Sequence, residues 1–238
     1  MVPLVLIASF PAGPWQANCY LLAREQGGRC VVVDPGVDAA DGVRQGLRQY
    51  GLTLDAVLLT HGHVDHVASA AALADEAGVP VWIHEADVDL LTHPLRALSE
   101  QSGDILEQMF GTTRFTPPAD VRHYEGDVLA AGIRFGTTHA PGHTPGCTLL
   151  APELDDMSLV FTGDVVFAGS IGRTDLPRGD AFTMASSLVT AVLPLDDEAH
   201  LLPGHGPTTT MGAERATNPW LQPQQLMALQ APGGPGTA

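Results

Sequence analysis

The segment THGHVDH, residues 60–66, packs three histidines and an aspartate into six positions: His61, His63, Asp65 and His66. Imidazole nitrogen and carboxylate oxygen are the ligands of Zn²⁺ and of borderline ions such as Fe²⁺ or Mn²⁺. A single histidine in a polar loop is as easily satisfied by backbone; four donor side chains packed this closely point to metal. Three further stretches each add one donor beside glycine. APGHTPG carries His143, FTGD carries Asp164 and LPGHG carries His205. Each of these alone is as readily a structural turn residue. Together with the first segment, the seven read as one metal site.

Such donors must be brought together by the chain. Each lies at the end of an expected β-strand: 56–60 before the first segment, 133–138 before His143, 158–162 before Asp164 and 200–202 before His205. Crevices at strand ends are where α/β sheets build sites. Further strands are expected at 18–23, 29–34, 81–84 and 147–151. Helices are expected at 41–50, 67–77 and 182–193, with 85–110 mostly helical around a break at Thr92 to Pro94. Asp65 is expected at the N-cap of the second helix, with His66 opening it. Alternating strands and helices imply a layered α/β domain.

The chain has 238 residues and is 45% hydrophobic, enough for one domain with a substantial core. Acidic residues number 27 against 11 basic ones, all of them arginine, for a formal charge of -16. Phosphate backbones and anionic lipid would repel such a chain, so neither nucleic acid nor membrane is an expected partner. No positive residue precedes the apolar stretch 2–10, which Pro3 interrupts, so it reads as a first strand rather than a secretion signal. If 18–23 and 29–34 form a hairpin, facing residues sum to about 53. Cys30 would then face Ala23, and Cys19 would face Asp34. No disulfide is expected between them, and a reducing cytoplasm is the expected setting. QAPGGPGTA, 230–238, lacks periodicity. Residues 1–221 are assigned to the folded domain and 222–238 to a C-terminal tail.

On these motifs the sequence resembles the metallo-β-lactamase superfamily over roughly residues 2–220. THGHVDH is similar to its principal metal motif, and His143, Asp164 and His205 follow in the order of its later ones. The resemblance implies an αββα sandwich. It also implies one metal held by His61, His63 and His143, a second held by Asp65, His66 and His205, and Asp164 bridging them together with a water or hydroxide. GSIGRTDLPRGD (169–180) and GHGPTTTMGAERATNP (204–219) resemble the short glyoxalase II-like hydrolases, which cleave thioesters such as S-lactoylglutathione. Full-length glyoxalase II adds a C-terminal helical domain that helps bind glutathione; fewer than forty residues follow His205 here.

The resemblance implies hydrolysis of a small-molecule thioester by a metal-bound hydroxide. Two divalent ions lower the pKa of the water they share, with zinc expected and iron or manganese as alternatives. Asp65 is expected to orient that hydroxide as well as bind metal. A mononuclear iron persulfide dioxygenase of the same fold is the second expectation, since that group shares the HxHxDH motif and a GRTD segment. Arg173, nine residues after Asp164, is expected either to anchor a substrate carboxylate or to pair with Asp175 or Asp180 and shape its loop. Asp34 is expected to orient a ligand histidine or to cap a turn. Turn or core roles are expected for His84, His93, His123, His139 and His200.

Overall fold

A computed structural model describes residues 5–99, 102–155 and 157–230. Fourteen strands appear among them: β1 Leu6–Ala12, β2 Ala17–Ala23, β3 Arg29–Val33, β4 Thr53–Leu58, β5 Val81–Ile83, β6 Val121–His123, β7 Val128–Ala130, β8 Ile133–His139, β9 Thr148–Pro152, β10 Leu159–Gly163, β11 Val166–Phe167, β12 Ser170–Ile171, β13 His200–Pro203 and β14 Thr209–Thr210. One sheet runs β1-β2-β3-β4-β5-β6 and the other β14-β13-β10-β9-β8-β7, while β11 and β12 form a small hairpin. The β3-β4, β4-β5, β5-β6 and β10-β13 pairs are parallel.

The sheets stack face to face. Tyr20, Leu22, Val31, Val33, Ala56 and Leu58 from the first meet Ile133, Phe135, Leu150, Phe161 and Leu202 from the second. Alternate residues point outward to helices. Cys30, Val32, Val57 and Ile83 pack against α1 (Ala39–Tyr50) and α3 (Ala70–Ala77), and Leu149, Val160 and Leu201 against α5 (Ala181–Ser187), α6 (Met211–Thr217) and α7 (Pro223–Leu229). The remaining α-helices are α2 (Val64–Val67) and α4 (Ser102–Phe110). A strand buried on both faces needs apolar residues at successive positions, which is why CVVV over 30–33 reads as an unbroken hydrophobic run. Each fully buried Leu or Phe contributes about 1.5–3 kcal/mol. The result is the αββα sandwich.

The hairpin register places Ala23 opposite Cys30 and Tyr20 opposite Val33, so facing residues sum to 53 as expected. Cys19, Cys30 and Cys147 are free and buried. Three expectations need correction. The helix expected at 67–77 begins earlier, at Val64, and breaks before resuming at Ala70; its N-cap is His63, and Asp65 sits inside the first turn. The helix expected at 182–193 changes to a π turn over Leu188–Val192. The assigned tail begins too early. Pro223 starts α7, and Leu226 and Leu229 are buried against the second sheet's helices, because two leucines three apart form an apolar stripe. Residues 231–238 lie outside those described.

Candidate metal centre

Four loops leave the sandwich at one edge and carry the donors. THGHVDH follows β4, His143 lies between β8 and β9, Asp164 follows β10 and His205 follows β13. Asn18 on β2 holds the last loop: its backbone N–H donates to the Gly204 carbonyl at 2.7 Å, and its side-chain amide donates to the Pro203 and Gly206 carbonyls. The Tyr20 hydroxyl donates to the Pro203 carbonyl at 2.7 Å. The first sheet thus fixes a donor loop of the second.

All seven expected donors are gathered there. His61, His63 and His143 bring ligand atoms within 4.8 Å of one another, and so do Asp65, His66 and His205. Asp164 lies between the two groups. Its carboxylate is 3.4 Å from His143 Nε2, 3.5 Å from His66 Nε2 and 3.6 Å from His205 Nε2. His61, His63, His66 and His143 are buried, as is Asp164.

The donor set fits divalent cations on three counts. His63 Nδ1 and His143 Nε2 face each other at 2.7 Å. His63 donates its Nε2–H to the Ala97 carbonyl, and His143 its Nδ1–H to the Arg173 carbonyl. Both facing nitrogens are therefore lone pairs, which repel unless a cation draws them. His61 Nε2 and Asp164 Oδ1 are buried without a hydrogen-bond partner, a costly state for polar atoms. Finally, imidazole with carboxylate is the chemistry of zinc and iron sites.

Electrostatics divide the two groups. Burial and the neighbouring histidines push His61 well below its ordinary pKa, and His63 down to about 4. Burial likewise lowers His143 to about 4. These three rings are neutral, as ligands must be. Burial opposes charge on His66 too, but Asp164, Asp65 and Asp34 outweigh it and raise the ring to about 10. Burial also opposes charge on Asp65, but His66 and His205 overcome it and hold the carboxyl below its usual range. For Asp164 burial wins over His66 and His205, and the pKa rises.

Supporting residues set the donors' orientation. Asp34 accepts from the Thr60 backbone at 2.8 Å, from the Thr60 hydroxyl at 2.6 Å and from His66 Nδ1 at 3.2 Å. It thereby leaves His66 Nε2 aimed at the centre. Asp87, fully buried, joins the His61–His63 loop to the His143 loop. Its carboxylate accepts from the Gly62 N–H (2.9 Å), the Thr144 hydroxyl (2.6 Å) and the Gly146 N–H (2.9 Å). Gly204 and Gly172 leave room for Asp164: a Cβ on the first would strike its Oδ1 and the His66 ring, and one on the second its backbone carbonyl. Sequence reasoning reached neither Asp87 nor Asn18, since three acids alternate in EADVD and only the fold tells Asp87 from Glu85 and Asp89.

A cavity of about 510 Å³ opens over the donors. Arg173 lines it, and its guanidinium forms a double hydrogen bond with Asp175, 2.7 Å on each arm. Its carbonyl is the group that orients His143. His84 and His139 lie apart from the centre, stacked at 3.9 Å, and His139 Nε2 donates to the Pro145 carbonyl.

The family model of the Metallo-beta-lactamase superfamily matches residues 12–205. An uncharacterized protein of Mycobacterium tuberculosis is 42% identical over 224 residues, 92% of this chain and 98% of that one. The Haemophilus influenzae hydroxyacylglutathione hydrolase GloC is 38% identical over 219 residues, 90% of this chain and 97% of its own length. Among solved structures, the B3 metallo-beta-lactamase BLEG-1 has a TM-score of 0.76 at 32% identity, covering 91% of this chain and 99% of that one. A protein crystallised in a di-iron-bound form has a TM-score of 0.69 at 34% identity, covering 92% and 100%. Two donor groups meeting at the edge of an αββα sandwich, and a match that spans every one of those donors, give the same answer: the chain belongs to the metallo-beta-lactamase superfamily.

Proposed function

We propose that this protein is a dinuclear metal-dependent hydrolase of thioesters. The observation that carries it is Asp164, set within 3.6 Å of ligand nitrogens from both donor groups. His61, His63 and His143 would hold one ion, Asp65, His66 and His205 the other, and Asp164 would bridge them. Two divalent ions in such a set supply water ionised near neutral pH and a Lewis acid for a carbonyl. The chain's own groups do the rest. Asp65 keeps its negative charge, and its Oδ2 lies 3.2 Å from His205 Nε2. It can accept a hydrogen bond from the attacking water and orient it. Asp34 fixes the tautomer of His66 and the Arg173 carbonyl that of His143.

The water gives up one proton to solvent as its oxygen adds to the acyl carbon, the C–S bond breaks, sulfur departs as thiolate, and the carboxylic acid formed loses the second proton. Thiols have a pKa of about 8.5, so departure needs no strong general acid. A thioester is favoured over other acyl substrates by the likeness to hydroxyacylglutathione hydrolase GloC. Zinc is the ion we assign; the di-iron-bound relative makes iron the alternative. Three buried free thiols support the reducing cytoplasm as its setting. No helix among the described residues is long and apolar enough to cross a membrane.

Metal analysis of protein purified without added metal, run beside a thiol-release assay, tests the proposal. Two ions per chain with thioester cleavage support it. One iron with oxygen uptake on a persulfide overturns it, and so does cleavage of a β-lactam without any thioester.

A further inference from the structure

We infer that the substrate is an uncharged thioester carrying an alkyl or aryl group on one side of the bond, and not a glutathione conjugate. This rests on the thioester reading above. The cavity over the donors is walled by Trp15, Leu98, Ile105, Phe167, Ile171 and Leu176. Among the described residues, its polar lining besides the donors is three serines and Arg173. Two of the wall residues, Trp15 and Ile105, remain 40% and 47% exposed at the mouth. Large apolar side chains left in water beside a reactive centre gain from a ligand that covers them.

Charge points the same way. A glutathione conjugate brings two carboxylates and one ammonium. Arg173 is the sole cation among the described lining residues, and Asp175 already takes both arms of its fork. The chain has no lysine to reach in from the rim. The chain's formal charge of -16 disfavours a net-negative substrate at long range. Neither carboxylate of such a tripeptide finds a free guanidinium or ammonium among the described lining residues, and burying an unpaired charge is costly.

The test uses the metal-loaded full chain and two neutral series. One series is acyl thioesters of N-acetylcysteamine from acetyl to hexanoyl. The other is acetyl thioesters of alkanethiols from ethane- to hexanethiol. S-lactoylglutathione is the charged comparison. Burial of each methylene should raise kcat/KM about fourfold in at least one series until the cavity is filled. The best neutral substrate should exceed S-lactoylglutathione by at least about tenfold. Ile105→Arg, at a half-exposed position, should shift that ratio towards the glutathione conjugate. With metal-stripped protein, binding of the uncleavable amide analogue of the best neutral substrate should show a negative heat-capacity change. Two flat series, S-lactoylglutathione as the best substrate, or an unmoved ratio in Ile105→Arg would overturn the inference while the thioester reading stands. No cleavage of any thioester would overturn both.

Discussion

Replacing Asp87 by asparagine separates the position of the donor loops from their chemistry, because Asp87 is not itself one of the gathered donors. Its two oxygens accept three hydrogen bonds, two from the N–H groups of Gly62 and Gly146 and one from the Thr144 hydroxyl. An amide of the same shape offers one oxygen and turns an N–H₂ towards a donor, so at least one bond is lost. Hydrogen bonds to a charged group contribute about 1.5–3 kcal/mol each. For a domain of this size that corresponds to a fall in Tm of roughly 3–12 °C. The same change frees the His61–His63 loop from the His143 loop. Support residues of this kind typically alter metal affinity by about 10–100-fold. Chelator competition on the folded variant reads affinity, and a thermal melt of metal-free protein reads stability. Asp87→Asn with wild-type metal affinity and a Tm within about 1 °C of wild type would refute the reasoning. Asp87→Ala should be worse, by about 3–5 kcal/mol, since it leaves three buried donors unpaired and a void.

Asp164→Asn should lower affinity for the metal pair by at least about a hundredfold, the upper end for residues that only support a ligand; elemental analysis showing two ions retained at wild-type affinity would remove Asp164 from the bridge. Gly204→Ala should act through the same carboxylate, because the added methyl meets Asp164 Oδ1 and the His66 ring, and reduced metal content in an otherwise folded chain is the readout. Metal uptake should release protons. His66 sits at about 10 in the metal-free protein, above its ordinary value of 6.5, and so carries a proton at pH 7.5 that must leave before Nε2 can bind. Apparent affinity should therefore rise about tenfold per pH unit per proton between roughly pH 7 and 9, and calorimetry in buffers of different ionisation enthalpy should give at least one proton released. A buffer-independent enthalpy would contradict it.

The strands that the sequence made legible are those whose burial forces a pattern. CVVV over 30–33 is apolar at every position because Val31 and Val33 face the other sheet while Cys30 and Val32 face α1 and α3. The short pieces β11, β12 and β14 escaped notice because two residues carry no period. α7 reads as tail in the sequence because Pro and Gln open it and its apolar residues run together at 226–229 without a helical period, of which only Leu226 and Leu229 are buried in the fold. Boundaries near the site moved for a reason as well. The first metal loop is tethered at both ends, by Asp34 on Thr60 and by the turn beginning at His63, so the helix starts directly after His63 and carries Asp65 and His66 within it.

The gathered side chains were legible for the opposite reason: clustered histidine and aspartate are few residue types, and these cannot hide in an apolar sequence. What holds the donors leaves no such trace. The Ala97 and Arg173 carbonyls fix the two facing histidines, yet any residue has a carbonyl. Asp87 is one acid among three in five residues, and only the packing of 85–91 against both loops singles it out. Arg173 shows the limit most directly. Its charge left open a substrate anchor or a pair with Asp175 or Asp180; in the fold its guanidinium meets Asp175 two residues on, and its backbone carbonyl, which no charge announces, orients His143. A side chain's type announces what it can do; which of its atoms is free to do it is decided by neighbours that the sequence places far away.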